Sequence, residues 1–102
     1  VNGVSTRVVI DTGSDDVVLT RKDAQRAGID VSKLSFSEDF DAASGSGVEA
    51  DATVSKLAIG PLSATDFPIS VEADGGASLL GMTFLRRLKS VEIRSGRLYL
   101  RW

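Results

Sequence analysis

Asp, Glu, Lys and Tyr carry whatever acid–base chemistry this chain can do. Its 102 residues include no His and no Cys. That removes the Ser-His-Asp triad, the Cys-His pair, any disulfide framework and almost every zinc site. Asp, Glu, Lys and Tyr are left as proton carriers. Asp11 stands out by position: it follows the apolar β-branched run Val8-Val9-Ile10 and opens Asp11-Thr12-Gly13-Ser14-Asp15-Asp16. A carboxylate at the end of a buried strand is costly unless something uses or satisfies it. Two readings follow from these residues alone: a reactive acid, or an Asx turn that closes the strand. The second place that could belong to a site is Leu79 to Gly81, within Ser78-Leu79-Leu80-Gly81, which reads as a short buried strand ending in glycine.

The elements that must position these residues can be read from pattern. Val4 to Ile10 reads as a strand buried on both faces at its end, and Val17-Val18-Leu19 as a second short strand. Thr20 is an N-cap with Asp23 at N3, so a helix is expected over Arg21 to Ala27, closed by Gly28. Ile29 to Phe40 reads as loop and short strand. Ser44-Gly45-Ser46-Gly47 is expected at the tip of a hairpin whose second arm runs through Val54, Leu57 and Ile59. Gly60-Pro61 marks a turn before a strand at Phe67, Ile69 and Val71, and Asp74-Gly75-Gly76 marks another. Met82, Phe84, Leu85 and Leu88 have helical spacing. Val91 to Leu100 reads as a hairpin turning at Ser95-Gly96. The result is one mostly β domain over residues 1–102 with two short helices, no internal repeat and no domain boundary.

The run Val9 to Leu19 resembles the active-site segment of the retroviral-type aspartic proteases, the retropepsins. Leu79-Leu80-Gly81-Met82-Thr83-Phe84-Leu85 resembles that family's second signature, a hydrophobic-hydrophobic-Gly strand leading into a C-terminal helix. The resemblance implies a small closed β-barrel with a flap hairpin and a short C-terminal helix. It implies an aspartic endopeptidase in which Asp11 from each of two copies flanks a water, so the site needs a homodimer. A dimerisation or peptide-binding module with little hydrolysis is the alternative. Within the family, the bacterial branch is the more similar. It is often tethered to the inner membrane by an upstream helix and faces the periplasm. The chain opens at Val1 without Met, inside what reads as a strand. It therefore reads as a domain cut from a longer protein, without the family's N-terminal strand.

By the same resemblance, Thr12 bonds across the dimer and Gly13 allows close backbone approach. Ser14 donates to the Asp11 carboxylate or is a solvated turn residue. Asp15 and Asp16 bind substrate main chain or form an acidic turn. Ser44, Gly45, Ser46 and Gly47 lie in the flap. Leu80 and Gly81 are structural beneath the site, and Met82, Phe84, Leu85 and Leu88 belong to the core or the dimer interface. Many retroviral members have Arg directly after the second-signature glycine, paired with the equivalent of Asp15. This chain has Met82 there, which leaves Arg7, Arg86 or Arg87 as the cation for Asp15. The C-terminal residues Leu98, Tyr99 and Leu100 are long enough to pair with a partner, and Trp102 could pack on it.

No metal or cofactor is expected. The net charge is −2 and no basic block stands out, so nothing points to nucleic acid. No apolar run approaches the ~20 residues that span a bilayer, so this segment is expected to make no membrane contact. A peptide or protein is the expected substrate.

Overall fold

Asn2 and Gly3 decide where the first strand can begin. Both have positive φ, 50° and 79°, and the turn they make closes with Val4 N donating to Val1 O at 2.8 Å. The Asn2 amide holds the turn in place: Nδ2 donates to Ala27 O, and Oδ1 accepts from Lys56 N at 3.0 Å. In this computed structural model, which describes residues 1–42, 45–74, 76–95 and 97–101, the strand β1 is only Val9–Ile10. It is shorter than the pattern suggested because Ser5 to Val8 have no strand to pair with. It is also an edge strand, bonded on one side alone, which leaves Val9 52% exposed and not buried on both faces.

The elements then follow as β2 (Val18–Thr20), α1 (Arg21–Arg26), a 3-10 turn at Val31–Lys33, β3 (Glu38–Ala42), β4 (Gly45–Ile59), β5 (Leu62–Glu72), β6 (Leu79–Leu80), α2 (Met82–Leu85), β7 (Ser90–Arg94) and β8 (Arg97–Arg101). Helix α1 begins as expected, with the Thr20 side chain accepting from Asp23 N at 3.1 Å. It ends at Ala27, with Gly28 in the left-handed region at φ 88°, where only glycine is free of Cβ strain.

The main sheet runs β1-β6-β2-β5-β4-β3, and β7-β8 form a separate ribbon. Strand pairs β1–β6 and β2–β5 are parallel, while β4–β5 is a long antiparallel hairpin closing at Ile59↔Leu62. The fold is mainly β, as expected, but the sheet is not closed into a barrel: β1 and β3 end it without meeting. Closure needs mutually consistent strand tilt and stagger around the whole ring. A two-residue β1 offers little ladder to close on. Strand count is visible in a sequence; which edges find each other is not.

The β4–β5 hairpin coils around the core. Its pairing is interrupted between Val54↔Phe67 and Lys56↔Thr65, beside Asp66 at φ 49°. The interruption lets Val54 and Leu57, three apart, both face inward, with Phe67 and Ala64 opposite them. Phe84 sits at the centre, fully buried, its ring edge-on to Phe67 at 5.7 Å. Leu85 and Leu88 are buried beside it, with Met82 partly so. Toward the end of β5, Ile69, Ser70, Val71 and Glu72 are all buried, because the strand there lies between β2 and β4. The turn at Asp74-Gly75-Gly76, the turn at Ser95-Gly96 and the end of the chain include Gly75, Gly96 and Trp102, which lie outside the described residues.

Candidate active site

Asp11 lies where β1 ends, half-buried, with Thr12 and Gly13 exposed after it. Gly13 N donates to Asp11 Oδ1 at 3.0 Å and Ser14 N donates to Asp11 O at 3.2 Å. The first of these is the Asx-turn bond, so the turn-closing reading of Asp11 holds locally. It does not exhaust the carboxylate: no hydrogen bond from the described residues reaches Oδ2. A ready acceptor pinned by one backbone donor at the rim of a loop can be both a turn and a reactive group. The Ser14 hydroxyl makes no hydrogen bond to Asp11 in the single chain.

The loop is held from below by the second signature. Asp11 N donates to Leu80 O at 3.1 Å, Met82 N to Ser14 O at 2.8 Å and Thr83 N to Asp15 O at 2.7 Å. Three backbone bonds therefore fix the floor of the loop without using any of its side chains. Gly81 is buried against it. A Cβ there would collide with Asp16 O and lie 2.8 Å from Ser14 O, so the close approach of the two segments requires glycine at this position.

A side-chain relay supports the strap one residue earlier. Ser78, buried, donates from Oγ to Asp23 Oδ2 at 2.6 Å and accepts from Thr20 N at 3.0 Å, while its carbonyl takes Val9 N at 2.8 Å. In a capping box the N3 carboxylate reaches back to the N-cap N–H itself; here Ser78 stands between them. The pattern Thr20…Asp23 announced the cap. Nothing in the sequence announced the serine from 55 residues away. Thr83 and Ser78 are the two site-supporting residues that sequence reasoning did not single out.

Asp15 and Asp16 are exposed. Of the three candidate cations for Asp15, the one that meets it is Arg86, with Nη2 at 3.4 Å from Oδ1. Unlike the Arg26–Asp23, Lys33–Asp30 and Arg94–Glu92 pairs, whose members lie within three residues of each other, this one joins distant parts of the chain. It connects the loop to the turn after α2, one helical turn beyond Met82. Arg87 instead lies over the Phe67 ring at 5.0 Å. In the β3–β4 hairpin, Ala42 pairs with Gly45, Asp41 with Ser46 and Phe40 with Gly47. Gly45, Ser46 and Gly47 are thus part of the ladder and not of the tip, and Ser44 lies outside the described residues. Among the described residues no three His, Cys, Asp or Glu side chains are grouped as a metal ion would need, and no helix is long and apolar enough to cross a membrane.

An Asp-Thr-Gly loop carried by a short edge strand and underpinned by a hydrophobic-hydrophobic-Gly strap is the arrangement that the resemblance to the aspartic proteases implied. The chain belongs to the retropepsin-like aspartic proteases: the family described as "gag-polyprotein putative aspartyl protease" matches residues 1–87. Its fold superposes on the crystal structure of a retropepsin-like aspartic protease from Rickettsia conorii with a TM-score of 0.83 and 32% identity, over 98% of this chain and 76% of that one. Among curated proteins it is 33% identical to an uncharacterised protein from the cobV 5′ region of Sinorhizobium, over 99% of this chain and 44% of that protein. It is 34% identical to an uncharacterised protein of Rickettsia prowazekii, over 91% of this chain and 40% of that protein. The chain thus spans less than half the length of these two relatives.

Proposed function

We propose that the chain is an aspartic endopeptidase whose site forms when two copies bring their Asp11 loops together on a two-fold axis. The observation that carries this reading is the state of Asp11: half-buried, one oxygen held by Gly13 N, the other unclaimed, on a loop fixed from below by Leu80, Met82 and Thr83. One chain presents one such carboxylate, and peptide hydrolysis by paired acids needs two. Two carboxylates about 3 Å apart share one proton and titrate as a pair.

The chemistry then follows. The ionised Asp11 takes a proton from the water, whose oxygen attacks the scissile carbonyl carbon. The protonated Asp11 of the second copy gives its proton to the carbonyl oxygen, forming a neutral tetrahedral diol. Proton return through the same pair converts the nitrogen to an amine leaving group, and the C–N bond breaks. Thr12 and Gly13, exposed at the rim, are the groups that would face the second copy. Asp15 and Asp16 would line the substrate path. The β3–β4 hairpin, including Gly45 to Gly47, would act as the flap. Restriction to the periplasmic face of the inner membrane belongs to the same proposal and is supported only by likeness to the bacterial branch.

The test is cleavage of unfolded casein at acidic pH across a dilution series, with sedimentation on the same samples. Specific activity should rise with protein concentration as dimer forms. Asp11→Asn should lower the rate by about 10²–10⁴-fold, the scale of a lost general acid or base, with an unchanged circular dichroism spectrum. Constant specific activity where only monomer sediments would sink the two-copy site. An active Asp11→Asn would sink the assignment of Asp11. Binding of casein without cleavage would favour a peptide-binding module.

A further inference from the structure

A second carboxylate, far from Asp11 in sequence, is placed in a manner the proposed reaction does not explain. Glu72 ends β5 with 8% of its surface exposed, and its Oε2 has no hydrogen-bond partner. Thr20 pairs with it on one side and Glu49 on the other. Directly opposed residues of an antiparallel pair point to the same face, so Glu49 shares the face of Glu72. The far side is closed by Gly76 at φ 77°, whose missing Cβ would fall on the Glu72 carboxyl group. The other charged groups nearby do not satisfy Glu72. Arg21 Nε is taken by Ala73 O at 3.1 Å, Lys22 and Asp74 line the groove beside Gly76, and Asp23 is held by Ser78 and Arg26.

We propose that Glu72 is a proton-dependent positioning residue: in its neutral form it seats Gly76 to Ser78, and through them the Leu79–Gly81 strap that holds the Asp11 loop. The path is short. Ser78 binds Thr20 N, Asp23 and Val9 N, and two residues later Leu80 O receives Asp11 N. A charged Glu72 must either leave its slot between β2, β4 and Gly76 or stay there without a partner, and both loosen the segment that follows it. Burial pushes the Glu72 carboxyl above its ordinary value. The sign follows by linkage: a raised folded-state value gives stability that is complete below the ordinary carboxylate range and is lost as pH rises through the raised value. The strap is therefore tightest in acid, where a pair of carboxylates sharing a proton also does its work. Only this last point rests on the protease reading; the latch itself is tested without it.

The experiment measures thermal midpoint and amide exchange from about pH 4 to about pH 8 for the wild-type chain, Glu72→Gln and Glu49→Gln. Glutamine mimics the neutral acid. The expected result is a flatter curve for Glu72→Gln, above wild type by about 4–8 °C at the neutral end. The Asp11 and Met82 amides should be more protected than in wild type at neutral pH, whereas Glu49→Gln should keep most of the wild-type slope. Parallel curves for wild type and Glu72→Gln, or a slope removed by Glu49→Gln instead, would overturn the latch. Equal protection of Asp11 and Met82 would overturn its link to the loop. If Glu72→Gln does not fold, carbon-detected titration of Glu72 in the wild-type chain decides: a midpoint in the ordinary carboxylate range or below overturns the proposal. Loss of casein cleavage at all pH values with the latch intact would count against the protease reading alone.

Discussion

Asp11 and Glu72 both stand at the end of a strand, in opposite surroundings. Asp11 leaves a two-residue edge strand into an exposed loop, has a backbone donor on one oxygen, and keeps the other available. Glu72 closes an eleven-residue strand that is covered by β2 and β4, and one of its oxygens is buried without a partner. On the proposed readings, the same functional group would react in one place and register pH in the other. What separates them is the neighbouring strand: an edge leaves a carboxylate wet and approachable, whereas a central strand desolvates it.

The two carboxylates also differ in how the chain beside them is held. The Asp11 loop rests on backbone bonds and a glycine contact, which no side-chain change at its rim should disturb. The residues after Glu72 are held by side chains as well as backbone: Arg21 Nε reaches Ala73 O and Ser78 Oγ joins Thr20 and Asp23, beside the Ala73 N to Val48 O bond. Gly81→Ala should have the largest effect on the first. Its Cβ collides with Asp16 O and crowds Ser14 O, and backbone on both sides cannot yield as a side-chain tip would. Overpacking of this kind costs about 1–3 kcal/mol. Denaturant unfolding should show that loss, and casein cleavage should fall with it. A Gly81→Ala chain as stable as wild type would mean that the strap is not close-packed under the loop.

Ser78→Ala tests the side-chain relay and should come next. It removes the donor to Asp23 and the acceptor for Thr20 N together, leaving a partly buried N–H unpaired, at about 1–3 kcal/mol. The amide of Thr20 should exchange faster, and so should that of Val9, because losing the side-chain relay frees the Ser78 backbone whose carbonyl receives it. Loss of stability without faster exchange at Val9 would show that the relay supports α1 alone.

Arg86→Ala should have the smallest effect. Both partners of the Asp15–Arg86 pair are mostly exposed, and such pairs contribute about 0.2–1 kcal/mol. Asp15 keeps its carbonyl bond to Thr83 N in any case. Stability should barely move and should be insensitive to salt. A substrate-side role for Asp15 would appear as a higher KM with kcat unchanged, partly recovered by Arg86→Lys. An unfolding midpoint lowered as much as in Ser78→Ala would mean that the pair is structural.

How far the sequence could be read depended on whether an interaction was local. The Thr20 cap, the Gly28 stop and the Gly60-Pro61 hairpin were legible because each is settled by residues within one turn of the chain. The two signatures at Asp11 and Gly81 were legible as motifs. Their contact was expected from the family resemblance, while the backbone bonds that make it, from Asp11, Met82 and Thr83, appear only when β1 and β6 pair. Arg86 could be named only as one of three cations for Asp15, because reach across a fold is not encoded in spacing. The glycine-rich segment at Gly45 to Gly47 looked like a tip by composition, and the register with Phe40, Asp41 and Ala42 made it strand.

By itself, then, the sequence determined the chemistry available: carboxylates without histidine or cysteine, one of them in an Asp-Thr-Gly turn, and a glycine where a second segment must come close. Tertiary structure alone decided that the sheet stays open, that Ser78 completes a cap from across the chain, and that Glu72 is buried while Asp11 is not. The physical reason is common to all three. Propensity and capping act over a few residues, whereas desolvation and edge pairing depend on which strands become neighbours. In this chain β5 lies between β2 and β4, and β1 lies at the edge.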